Sequence, residues 1–167
     1  IVEPDYLVDI SSVARCFTAY ADSSRLNTIN RFRPSVQSNA ILLGNFAGQL
    51  LDEAIHDKDA TRPYPKSIGS FARNNALAFA TCPDLKNTFH QDAQAQAANI
   101  RHAIDDGLQN HIGTFNRDQV IVEPSFFSEM LGLQGRMDFL QLDHKVLLEQ
   151  KSGKGAFVRG ALPNDPP

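Results

Sequence analysis

The residues best suited to chemistry lie in two short runs, Gly135-Arg136-Met137-Asp138 and Glu149-Gln150-Lys151-Ser152-Gly153-Lys154. Side chains two apart on a strand share a face, so Glu149 and Lys151 are neighbours there and Gln150 turns away. With Asp143-His144 as a two-residue hairpin turn, Leu142 faces Lys145. Counting outward then sets Asp138 across from Glu149, and Arg136 across from Lys151. Cross-strand Cβ atoms are about 5 Å apart, so two carboxylates meet with a lysine beside them. Such a pair repels unless a cation lies between the two groups. A partly open, all-oxygen site suits Mg²⁺ or Mn²⁺, which keep several waters and accept phosphate oxygens as further ligands. The chemistry that follows is phosphodiester hydrolysis: the cation polarises the phosphate and activates a water, and Lys151 positions that water or offsets charge at phosphorus. An E-x-K tripeptide alone is a weak signal, and its plain alternative is an exposed hairpin with a patch of Asp, Glu and Lys. The preceding G-x-x-D, the turn that brings the acids into register, and Ser152-Gly153-Lys154-Gly155 give the catalytic alternative its weight.

Stepping outward, the segments around these runs must supply the sheet and its support. Asp9 or Ser11 can cap a helix through Val13, Cys16, Phe17 and Tyr20. A second helix is expected from about Ser38 to about Ile55, its apolar stripe formed by Ile41, Leu42, Leu50, Leu51 and Ile55, with Gly44 and Gly48 on one close-packed face. Residues 57–65 read as a loop. Two more helices are expected, one from about Ser67 to Ala80 and one from about Pro83 to Leu108. The second carries Leu85, Phe89, Ala93, Ala97, Ile100 and Ile104 on one side, with Pro83 in its first turn and Gly107 at its end. Beyond Gly113 the texture changes. Val120-Ile121-Val122, Leu131 to Leu142 and Lys145 to Gln150 are rich in β-formers, as in an antiparallel meander. The expected class is α+β, helices first (about 1–112) and a catalytic sheet after (about 113–160), in one domain.

Composition bounds the function. A chain of 167 residues with 42% hydrophobic and 21% charged residues is globular in character. A net charge of −3 argues against coating nucleic acid by bulk attraction, though not against an enzyme that gathers carboxylates around a metal. Two distant cysteines, Cys16 and Cys82, supply neither a disulfide framework nor a four-cysteine iron–sulfur site, so no such cluster is expected and a reducing cytoplasm fits best. No apolar run approaches the ~20 residues of a membrane helix. The five histidines, His56, His90, His102, His111 and His144, lack paired ligand spacing and read as surface residues. A start at Ile1 without Met and a Pro-rich end read as a piece of a longer polypeptide.

The run Glu123-Pro124, then Gly132-Leu133-Gln134-Gly135-Arg136-Met137-Asp138-Phe139-Leu140, then Val146-Leu147-Leu148-Glu149-Gln150-Lys151-Ser152-Gly153-Lys154 resembles the motifs of RecB-like PD-(D/E)XK nucleases. The likeness is greatest to the nuclease domain of replication and repair helicase–nucleases, with CRISPR-associated RecB-like exonucleases as relatives. Val8 to Val13 looks like that family's opening helix, and Ala40 to Ala54 like its second. The resemblance implies an Mg²⁺- or Mn²⁺-dependent deoxyribonuclease acting on single-stranded ends or flaps. It implies that Asp138 and Glu149 bind metal, that the Gln150 carbonyl adds a ligand, that Lys151 is the catalytic lysine, and that Glu123 is the upstream acid near the metal. Arg136, Lys154 and Arg159 are candidate contacts to DNA, and a helicase domain in the same polypeptide is the implied partner. Three features depart from the pattern. The metal-binding His four residues after a helix glycine is replaced by Gly48, with Asp52 one turn on; the Q-x-x-x-Y helix expected after the E-x-K strand is absent, as for a core truncated on its C-terminal side; and the cluster cysteines are missing. Rival readings are a CRISPR-associated or restriction-type nuclease, and a non-catalytic nuclease-like module that binds DNA or a partner.

Overall fold

A computed structural model describes residues 7–17, 23, 25, 29, 32–34, 36–56, 63–113, 116–143 and 145–150. In chain order its elements are β1 (Val8–Asp9), α1 (Ile10–Arg15), α2 (Asn39–His56), α3 (Tyr64–Asn74), α4 (Ala76–Ala80) and α5 (Phe89–His102). A π-helical segment (Ala103–Leu108), α6 (Gln109–Ile112) and a 3₁₀ turn (Arg117–Gln119) follow. The strands β2 (Val120–Val122), β3 (Ser125–Ser128), β4 (Leu133–Arg136), β5 (Phe139–Gln141) and β6 (Val146–Leu148) complete the order. The class is α+β, as expected. The chain divides into two compact units, one drawn from 36–122 and 138–153, the other from 1–35 and 123–137 among the described residues.

The larger unit is built on α2. Its buried residues are Asn39, Leu42, Phe46, Ala47, Leu50, Leu51 and Ile55, a stripe at three- and four-residue spacing. Ile41, expected on that stripe, is instead 44% exposed, because Phe46 and Ala47 centre the buried face one position round the helix. Phe46 packs on Phe71 of α3 with ring centroids 4.9 Å apart, and Phe71, Phe79 and Phe89 continue the cluster edge to face. The helix expected over 67–80 is two helices, because Asn75 leaves helical geometry and its amide caps back onto the Phe71 carbonyl. The helix expected from Pro83 begins only at Phe89. Residues 83–88 are a turn, and Leu85 is 41% exposed rather than part of the buried row of Phe89, Ala93, Ile100 and Ile104. Nor does Gly107 end it: the backbone widens into the π segment and continues to Ile112, and Gly113 at φ +73° supplies the left-handed terminus.

The sheet of this unit has the order β2-β5-β6, both pairings antiparallel. Its core face is set by Val120 and Phe139, which join the buried cluster, and by Gln141, which is fully buried. Gln141 Nε2 donates to the Asn116 carbonyl and to Asp143 Oδ1, which ties the end of the hairpin to the 3₁₀ turn.

The smaller unit is a mixed sheet of order β1-β4-β3. β1 runs parallel to β4, with Val8 beside Leu133 and Asp9 beside Gln134, and β3 is antiparallel to it. A single meander is therefore not the topology: a strand that precedes the helices joins the sheet, and the run expected from Leu131 to Leu142 is two strands, broken at Met137-Asp138. Asp9 also caps α1, accepting the Ser11 N–H at 2.8 Å in place of an unmade helical bond. α1 stops at Arg15, so Cys16 and Phe17 lie beyond it, Phe17 84% exposed, and Tyr20 falls outside the described residues. Gly135 lets α1 lie close on β4: a Cβ there would stand 2.8 Å from Ile10 Cγ2.

Candidate functional site

The β5–β6 hairpin holds the register on which the two acids depend. Phe139 pairs with Leu148, Leu140 with Leu147 and Gln141 with Val146. The next pair outward by the same count is Asp138 with Glu149, as the turn arithmetic requires. Phe139 and Gln141 are fully buried, while Leu147, opposite Leu140, is 57% exposed. Each acid stands one residue beyond its strand, and the alternation continued by that residue would turn both away from the core. Asp138 is half-buried and Glu149 exposed. The Gln150 N–H donates to Asp138 Oδ2 at 2.6 Å, a charge-assisted bond that fixes one carboxylate oxygen and closes the mouth of the hairpin. Asp138 Oδ1 has no hydrogen-bond partner among the described residues. Lys151, Lys154 and Arg159 lie outside the described residues.

Glu123 and Arg136 belong to the smaller unit. Glu123 has φ 51°, where the following Pro124 also interrupts the strand, and its Oε2 accepts from Arg136 Nη1 at 3.2 Å. Both side chains are at least half exposed, so the pair contributes little stability. The strand is interrupted after Arg136, and Lys151, expected across from it, lies outside the described residues. In its own sheet the residue opposite Arg136 is Ser125 of β3.

Asp52, one turn beyond Gly48, is drawn to His56 Nδ1 at 2.8 Å, and both side chains are more than half exposed. His102 bonds Asp106 in the same i,i+4 manner at 2.6 Å, and His90 meets the Tyr64 hydroxyl. His111 is exposed, and His144 lies outside the described residues. Among the described residues no three His, Cys, Asp or Glu side chains gather to hold a metal ion.

Two polar networks were not singled out in the sequence. Glu53 on α2 accepts from Gln49 Nε2 at 2.7 Å and from the Ser67 hydroxyl, with Ser67 buried, at the edge of a cleft of about 60 Å³ that Tyr64, Arg101 and Asp105 also line. The i,i+4 spacing of Gln49 and Glu53 was the available signal. Burial pushes the Tyr64 hydroxyl pKa up. At the start of α2, Asp84 Oδ1 accepts the Asn39 N–H at 2.8 Å, and Asn39 Oδ1 accepts the Lys86 N–H. The Asn39 amide holds the Asp84 carboxyl below its usual range, helped by the Cys82 thiol. Burial, then the bond to Asp84, raises the thiol in turn. A cap reached across 45 residues leaves no local sequence signature.

No helix among the described residues is long and apolar enough to cross a membrane. Compared with protein-family models, curated proteins and solved structures, the chain matches none.

Proposed function

We propose that the chain is a divalent-metal-dependent deoxyribonuclease of the PD-(D/E)XK type, and a nuclease module of the kind found in repair and replication helicase–nucleases. The observation that supports it is the hairpin register, which, continued one residue past the Phe139–Leu148 pair, faces Asp138 with Glu149, together with the Gln150 N–H bonded to Asp138. The donor set fits Mg²⁺ or Mn²⁺. It is all oxygen, and among the described residues Asp138 Oδ1 is unengaged. When bound, the cation supplies Lewis acidity toward the scissile phosphate and a lowered pKa for a water. Asp138 and Glu149 hold it, the Gln150 amide keeps the Asp138 carboxylate oriented, and Lys151 offsets charge on the phosphate. Single-stranded ends or flaps are the substrate class. A non-catalytic DNA- or partner-binding module is the second reading, favoured by the absence of a third side-chain ligand among the described residues.

The experiment is a cleavage assay on single-stranded, flapped and duplex DNA with Mg²⁺ or Mn²⁺, comparing wild type with Asp138→Asn, Glu149→Gln and Lys151→Ala. Loss of one electrostatic group in such a site costs ~10²–10³ in rate. Metal-dependent cleavage that all three variants lose supports the enzyme. Metal and DNA binding without cleavage supports the binding module, and cleavage that survives Asp138→Asn overturns the site.

A further inference from the structure

The smaller unit presents a sheet face with the chemistry of a base-stacking platform. Because Phe126 pairs with Gly135, and Gly135 lies against Ile10 of α1, those residues mark the face toward α1, on which Phe126 is still 42% exposed. Phe127 pairs with Gln134 and Ser125 with Arg136, so Phe127, Gln134, Arg136 and Ser125 share the opposite face. They line a groove of about 270 Å³ that Leu7, Asp9, Phe126 and Gly135 also border. Phe127 is 70% exposed, which is unusual for a phenylalanine on a sheet and leaves a ring surface for a flat partner. Among the described residues the Gln134 amide has no partner, and Arg136, 64% exposed, has only the weak Glu123 pair to hold it. Asp9, the acid at the groove, has one oxygen committed to the Ser11 amide.

We propose that this face seats one unpaired nucleobase of single-stranded DNA. The base stacks on Phe127, Gln134 bonds its edge, and Arg136 exchanges Glu123 for the adjoining phosphate. An aromatic ring flanked by an amide and a guanidinium on an open sheet is the arrangement that recognises unpaired bases, whereas a duplex keeps its bases stacked on one another. The groove has room for one planar ring system. The inference rests on the nuclease reading for the identity of the polymer, and it assigns single-strand preference to Phe127 rather than to the acids of the hairpin.

The test is fluorescence anisotropy with a labelled short oligothymidylate and a duplex of equal length, in EDTA so that nothing is cut. Wild type binds the single strand more tightly. Phe127→Ala weakens that binding by about tenfold, the usual cost of losing one base stack, and leaves duplex binding unchanged. Phe127→Trp restores it. Phe127 is exposed, so both variants keep the wild-type melting temperature. The proposal is overturned if folded Phe127→Ala binds the single strand as wild type does, if Phe127→Trp fails to restore binding, or if the substitution changes only self-association of the chain. Cleavage separates it from the reading above: a chain that binds single strands through Phe127 and cuts nothing upholds the platform and sinks the nuclease. A chain that cuts through Asp138 while Phe127→Ala binds normally does the reverse.

Discussion

Phe139→Ala tests the register that brings the two acids together. Phe139 lies on the central strand of its sheet, fully buried, with Val122 and Leu148 as its cross-strand neighbours. A phenylalanine buries ~150–250 Å² at ~25 cal/mol per Å², and the residual cavity adds to the loss, so truncation to Ala should cost roughly 3–5 kcal/mol. That is a large share of the 5–15 kcal/mol typical of a domain. The matched control is Leu147→Ala. Its side chain is 57% exposed on the other face and should cost less than about 1 kcal/mol. A one-residue slip of β5 or β6 would send every side chain to the opposite face, and Asp138 with them. Urea unfolding followed by circular dichroism gives both values. A cost under about 1 kcal/mol for Phe139→Ala, or a larger cost for Leu147→Ala than for Phe139→Ala, would refute the face assignment and with it the Asp138–Glu149 pairing.

Two further predictions concern the packing inside each unit taken by itself. Gly135→Ala places a Cβ 2.8 Å from Ile10 Cγ2 and should destabilise the smaller unit by about 1–3 kcal/mol; in a double-mutant cycle by thermal denaturation, Ile10→Ala should recover most of that loss. The Asp84 cap should make stability pH-dependent. Its folded pKa is lowered by the Asn39 amide, so the unfolded chain takes up the proton first. The contribution is complete above the unfolded value of about 3.9 and is lost as pH falls through the lower folded value. Urea midpoints should therefore separate wild type from Asp84→Asn at pH 6, and the gap should narrow steadily below pH 4.

The chemistry-bearing hairpin was legible in the sequence because its signals are local. Alternation and a short turn fix which residues pair, and the ladder keeps that count from Gln141–Val146 outward, although Leu142 and Lys145 lie in the turn rather than the ladder, Lys145 at φ 53°. The α2 span was legible for the same reason, since one helix length and one apolar stripe suffice to mark it, although the stripe's centre at Phe46 and Ala47 depends on which neighbours pack there. What was not legible is non-local or depends on backbone conformation. The pairing of Val8-Asp9 with β4 joins residues more than 120 apart, and two residues carry no strand pattern of their own. The strand over Ser125–Ser128 was missed although Phe126 and Phe127 are β-formers, because Pro124 and the left-handed Glu123 break the run from Val120. The π segment after His102 replaces a helix end that Gly107 seemed to mark, and Gly113 performs that role six residues later. Asp52 could reach a metal by helical spacing alone, yet His56 on its own helix is the partner it takes.

The most direct measurement is a crystal structure of the chain grown with Mn²⁺, with anomalous scattering recorded near the manganese edge. The account predicts one anomalous peak bridging Asp138 and Glu149, with ligand oxygens at about 2.0–2.3 Å and the Gln150 carbonyl among them. The peak should vanish in Asp138→Asn crystals grown the same way. Manganese bound only at other residues, or Asp138 and Glu149 on opposite faces of the sheet, would contradict it.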